Sequence, residues 1–152
     1  MADVRLFLSC VSDEFRAYRE ALRSALDQPN VTVKIQEDFK PQGGDTLRLL
    51  QEYIEQCEAV VHFAGDMDGS TPKPSSVDDL LARRPDLEAR LASKNMARDA
   101  LGALSYTQWE AWLAIALDRD LFIFRPAGGV ARGARYAATD ASRTAASVDM
   151  SR

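Results

Sequence analysis

The side chains of this chain that could do chemistry are few, and their spacing narrows what they can do. Residues 109–117 form an apolar run in which Glu110 is the one polar side chain, set beside Trp109 and just ahead of Trp112. Read locally, Thr107-x-x-Glu110 has the form of a capping box. Thr107 would cap a helix, and Glu110 would return a hydrogen bond to the backbone at the positive end of the helix dipole. Ser9, Cys10 and Ser12 cluster at the end of an apolar run, where helix capping is the ordinary role. A Ser-His-Asp or Cys-His hydrolase would have to use His62, the single histidine, which lies inside the apolar AVVHFAG, the setting of a core residue in a strand.

Other chemistries lack their residues. Cys10 and Cys57 have neither the number nor the spacing of a disulfide framework or a zinc site. DMDG resembles the start of a calcium loop, but no Glu follows at the required distance. Neither G-x-x-x-x-G-K-[ST] nor G-x-G-x-x-G is present, so a Gly-rich phosphate cradle is not expected. No metal and no bound cofactor are implied.

These residues sit on a recognisable succession of elements. VRLFLS, residues 4–9, reads as a buried strand. Ser12 or Asp13 can cap a helix reaching about Leu26, with Phe15, Tyr18, Ala21, Leu22 and Ala25 at helical spacing. VTVKIQ, residues 31–36, alternates as a second strand. EDFKPQGGD is a loop, Asp45 can cap a second helix, and AVVHFAG is a third strand. Residues 66–103 form a long insertion, with two short helices meeting at Pro85, of a size that often serves as a lid or binding element. The helix carrying Glu110 follows, then a strand at 121–124. Strand–helix alternation with short connections implies an α/β fold, a flavodoxin-like doubly wound parallel sheet whose ligands gather at the carboxyl ends of the strands. The domain is expected over 1–125, followed by a flexible Ala/Arg/Ser-rich tail at 126–152 with no clear period.

Composition sets outer bounds. The chain has 152 residues, 46% of them hydrophobic, enough for one core. A net charge of −4 argues against a nucleic-acid binder. No apolar run approaches the roughly 18–20 residues of a membrane span. The opening MADVRLFLSC lacks the pattern of a secretory leader, so a reducing cytoplasm is expected.

Three stretches in order resemble a TIR domain. LFLSCVSDE is similar to the first strand and loop of that family, written F-x-S-x-x-x-x-D. EDFKPQGGDTLRLLQEYIEQCEAVVHFAG resembles the exit of its second strand, the Pro- and Gly-bearing BB loop, the following helix and the third strand. SYTQWEAWLAIALDRDLFIF resembles the segment in which an aromatic residue precedes a Glu by four positions; here these are Tyr106 and Glu110. The likeness covers about residues 4–125 and is closer to the TIR-like domains at the N-termini of bacterial signalling and defence proteins than to the animal receptor type. Two features depart from the pattern. Trp109 stands directly before the Glu in place of a Trp-Cys pair further ahead, and residues 126–152 do not read as the fifth strand and last helix of a complete domain.

The resemblance implies an NAD+ nucleosidase that cleaves the nicotinamide–ribose bond, giving ADP-ribose or a cyclic product, with NAD as substrate rather than cofactor. Glu110 is then the catalytic residue, stabilising an oxocarbenium-like ribose. Ser9, Cys10, Ser12, Tyr106 and Trp109 are the implied substrate contacts. Phe39, Lys40, Gly43 and Gly44 of the BB loop would pack against a neighbouring subunit to complete the site. The implied partners are further copies of the chain, other TIR domains or downstream effector domains, in bacterial signalling or anti-phage defence. Two alternatives stay open: a non-catalytic TIR-type interaction module, and a nucleoside enzyme that cleaves an N-glycosidic bond.

Overall fold

A computed structural model describes residues 3–38, 45–133 and 136. Its centre is an all-parallel sheet of β1 (Val4–Ser9), β2 (Val31–Lys34), β3 (Ala59–Phe63) and β4 (Asp120–Phe124), in the spatial order β2-β1-β3-β4. This is the expected flavodoxin-like α/β class. The order in which strands are added reverses between β1 and β3, and in such folds the crevice outside that pair of carboxyl ends is where ligands bind.

Alternating residues of the central strands feed two separate cores. Phe7 and Val60 point into the larger one, with Leu47, Leu50 and Ile54 of α2 (Thr46–Gln56) and Trp109, Leu113 and Ala116 of α6 (Tyr106–Ala116). Leu8 and Val61 point the other way, onto Leu22 and Leu26 of α1 (Ser12–Leu26). Burial on both faces is why these strands read as continuous apolar runs.

The insertion builds the larger core. α3 (Pro74–Arg83) and α4 (Pro85–Ser93) each open on a proline, where the missing N–H costs nothing, and the short α5 (Arg98–Leu101) follows. Val77, Leu80, Leu87, Leu91 and Leu101 are all buried against α2 and α6. These helices are structural members of the domain, in place of the lid that length alone suggests.

Helix starts explain several differences from the sequence reading. Asp45 caps α2 as expected, accepting the Leu47 N–H at 3.1 Å. α1 has Val11 at its cap position with no side-chain bond, so neither Ser12 nor Asp13 caps it. Tyr18 points outward, and Glu14 and Arg19 are buried in its stead. The capping box of α6 belongs to Ser105 and Gln108, not to Thr107 and Glu110: Gln108 N–H donates to Ser105 Oγ at 3.2 Å, and Ser105 N–H to Gln108 Oε1 at 2.9 Å. Glu110 therefore has no capping duty.

Beyond β4 no further strand occurs among the described residues. The first part of the expected tail is held rather than free: the Gly133 N–H donates to the Glu14 carbonyl at 3.0 Å, and the Tyr18 hydroxyl donates to the Ala131 carbonyl. Among the described residues, no helix is long and apolar enough to cross a membrane.

The inserted helices give a direct test. Leu91→Ala should lower unfolding stability by roughly 2–5 kcal/mol, the range for a leucine removed from a packed core. A loss well below 1 kcal/mol in denaturant unfolding would return α4 to the status of a peripheral lid.

Candidate active site

The end of β1 delivers Ser9 and Cys10 to the crevice, and α6 delivers Glu110 from its second turn. Register fixes the first neighbour: Ser9 pairs laterally with His62 of β3, and Ser9 Oγ lies 2.9 Å from His62 Nδ1. Ser9 also lies within reach of the Glu110 carboxyl and favours its charged form. A buried succession of imidazole, hydroxyl and carboxyl thus crosses from β3 over β1 to α6. Burial pushes the His62 pKa down to about 4, so its ring is neutral at physiological pH.

Glu110 is 1% exposed, and its Oε2 has no hydrogen-bond partner among the described residues. Loss of solvent is the main influence on it and pushes its pKa up to about 8. The nearby Glu37 adds to this, while the Ser9 hydroxyl and Arg19 pull the other way. An oxygen held out of water without a partner costs stability and persists where a site needs it.

A polar cluster stands at the mouth. Ser12 Oγ donates to Glu37 Oε1 at 2.6 Å, and Arg19 donates from Nη1 to Ser12 Oγ at 3.1 Å and from Nη2 to Glu37 Oε1 at 3.0 Å. Burial alone would raise the Glu37 pKa, but the Ser12 hydrogen bond and the Arg19 guanidinium outweigh it and hold the carboxyl below its usual range. Arg19 is 2% exposed, and its Nε has no partner among the described residues. Cys10 is buried beside them. Its thiol is pushed up to about 12, chiefly by burial, with Arg19 opposing and Glu110 and Glu37 adding, so it is a thiol and not a thiolate nucleophile.

Of the expected site residues, Ser9, Cys10, Ser12 and Glu110 are brought together. Tyr106 lies one helical turn before Glu110, half-buried at the start of α6, with its phenol pKa raised by burial. Trp109 goes elsewhere. Its side chain is fully buried in the larger core, about 100° around the helix from its neighbour Glu110, and offers no face to a ligand. Phe39, Lys40, Gly43 and Gly44 lie outside the described residues. Sequence reasoning missed Arg19, Glu37 and Glu14. Arg19 falls one turn after Phe15, on the buried stripe of α1, which is the signal that could have flagged it. Among the described residues, no group of His, Cys, Asp and Glu is arranged to hold a metal ion.

Set against known proteins, the chain matches no family model, and neither the curated proteins nor the solved structures give a significant match.

The raised pKa of Glu110 has a measurable sign. Between the ordinary carboxyl value of 4.5 and about 8, the folded protein holds a proton that the unfolded chain releases, so stability falls as pH rises through that window. His62 has the opposite sense, but only between about 4 and 6.5. From pH 6.5 to 8, wild-type stability should therefore drop by about 2 kcal/mol. Glu110→Gln should flatten that slope, as read from denaturant midpoints across the range. An unchanged slope in the variant would show that Glu110 titrates normally.

Proposed function

We propose that this chain is a TIR-like NAD+ nucleosidase in which Glu110 acts on the ribose at the nicotinamide–ribose bond. The observation that carries the reading is Glu110 itself: a carboxyl at the β1–β3 crevice, stripped of water, relieved of capping duty, and with one oxygen unpartnered. The nicotinamide ring of NAD is cationic and leaves with the bonding electron pair as a neutral molecule, so no general acid is needed. Positive charge develops at the anomeric carbon. A carboxylate in a low-dielectric site stabilises that charge or attacks it, and water completes the hydrolysis, as in retaining glycosidases.

The protonated resting state fits this scheme. A cationic substrate beside Glu110 favours the carboxylate and draws its pKa down, so ionisation accompanies binding. Ser9 has a role in orienting the carboxyl, and the neutral His62 fixes the Ser9 hydroxyl. Arg19, held with Ser12 and Glu37, places a positive charge near the mouth, where a pyrophosphate would be welcome. Self-association through the BB loop and a setting in bacterial signalling or defence rest on the sequence resemblance alone.

A second reading draws on the same pKa. A carboxyl that keeps its proton to about pH 8 is suited to donate it to the neutral leaving base of a nucleoside. The pH dependence separates the two. kcat/KM should climb toward a plateau above about pH 8 if the carboxylate is the working form, and fall over the same range if the acid is.

The deciding assay is nicotinamide release from NAD over a range of protein concentrations, for wild type and Glu110→Gln, with free nucleosides in parallel. We expect wild-type turnover with specific activity rising on assembly, and a loss of at least about 100-fold in the variant with its fold intact. Equal turnover by the two proteins, or none from any substrate, would remove Glu110 from catalysis.

A further inference from the structure

Glu14 is a second buried carboxylate at the crevice, and the chemistry proposed above makes no use of it. It stands in the first turn of α1, facing the loop that leaves β3. Its carboxylate accepts the N–H of Asp66 at 3.1 Å and that of Met67 at 3.0 Å. Gly65 allows this approach, because a Cβ there would collide with the Glu14 carboxyl group. A further partner arrives from the far end of the chain. Arg132 pairs with Glu14 and, at 3.5 Å, with Asp66. Its guanidinium lies 5.3 Å from the centroid of the Phe15 ring and 4.8 Å from that of Tyr136. The Tyr136 hydroxyl donates to Asp66. Gly133 lies flat on the start of α1, where a Cβ would strike the Asp13 carbonyl oxygen.

The loop pinned in this way continues to the helix that bears Glu110. The Ser70 carbonyl accepts the Tyr106 N–H at 2.8 Å. Gly69, at φ +76°, passes close enough that a Cβ on it would sit 3.6 Å from Val11 Cγ2 and 3.7 Å from Thr107 Oγ1. Tyr106 and Thr107 precede Glu110 by four and three residues, so the loop lies against the first turn of the helix that bears Glu110. With the loop in this position Glu110 is 1% exposed.

We propose that residues 131–133 and Tyr136 form a latch that holds the 66–70 loop closed over Glu110, and that withdrawal of Arg132 from Glu14 opens the crevice. The effect on turnover rests on the reading of Glu110 as the reactive group; the closure itself does not. Glu14 is tied at once to the loop and to the latch, so it couples the two. When Arg132 leaves, a buried carboxylate remains with its charge uncompensated, and that cost is relieved when the loop lifts and water enters. The latch biases a closed-to-open equilibrium without touching the groups proposed to react.

The test uses the full chain with Arg132→Gln and, separately, Gly133→Ala, which pushes the latch off α1 and leaves Arg132 intact. The probe is alkylation by N-ethylmaleimide, read at each cysteine by peptide mass spectrometry. Cys10 lies at the crevice and reports its opening; Cys57 is fully buried beneath α2 and reports loosening of the whole fold. We expect Cys10 to react at least tenfold faster in both variants while Cys57 is unchanged, and nicotinamide release to rise. An unaltered Cys10 rate in both variants overturns the latch. Parallel acceleration of Cys57 in both also overturns it, making the segment a brace for the entire domain. Faster Cys10 alkylation with no turnover of NAD or nucleosides supports the latch and overturns the catalytic reading, so the two failures are distinct.

Discussion

A carboxyl group taken out of water must give up its charge or be given a partner, and the carboxyl ends of β1 and β3 meet both requirements within one crevice. Glu110 is met by the Ser9 hydroxyl, has no cation paired with it among the described residues, and keeps its proton. Glu14 is met by two backbone N–H groups and a guanidinium, the donors that a carboxylate needs. The surrounding architecture follows from satisfying these two groups. The loop after β3 must run close to α1 for its amides to reach Glu14. It must then turn toward α6 to satisfy the Tyr106 N–H, and in doing so it lies against the first turn of the Glu110 helix. Gly65 and Gly69 are the residues that permit this route, one by close approach and one by its positive φ.

The two faces of the sheet are covered unequally. On one, α2 and α6 are backed by the inserted α3 and α4, which together bury a continuous leucine-rich layer. On the other, the described residues contribute α1 and the short segment that returns over it. Phe122 and Phe124 of the edge strand β4 consequently stay half exposed, with Phe124 meeting Phe63 at a centroid distance of 6.3 Å. The thick side gives α6 a rigid bed, and this holds Glu110 in place at the strand ends. The thin side carries the loop and the Arg132 contacts, so rigidity and closure are assigned to opposite faces.

How much of this was legible in the sequence depended on the distance over which each signal acts. Strands and helices follow local patterns, and the Asp45 cap and the four strands emerge from them. The start of α6 shows where such patterns fail. Ser105–Gln108 and Thr107–Glu110 are overlapping capping boxes, equally good as sequence, and the structure uses the first, with the Tyr106 N–H donating to the distant Ser70 carbonyl. That choice frees Glu110 from capping. Arg19 was missed for a related reason, although its place one turn after Phe15 puts it on the buried stripe. A charge on a helix reads as surface unless its partner is known, and its partner Glu37 lies 18 residues away, on a separate element. Trp109 lies in the larger core and not beside Glu110, because neighbours in a helix point about 100° apart.

The pairing of Arg132 with Glu14 joins residues 118 positions apart. During synthesis, at about 5–20 residues per second, the strands, α1 and the Glu110 helix are all in hand roughly half a second to about 1.6 seconds before Arg132 is added. The nascent domain therefore passes through an interval in which its sheet can form while its crevice is uncovered, with Glu14 buried and unmatched. Arrival of Arg132, rather than formation of the core, is what supplies Glu14 with its cation.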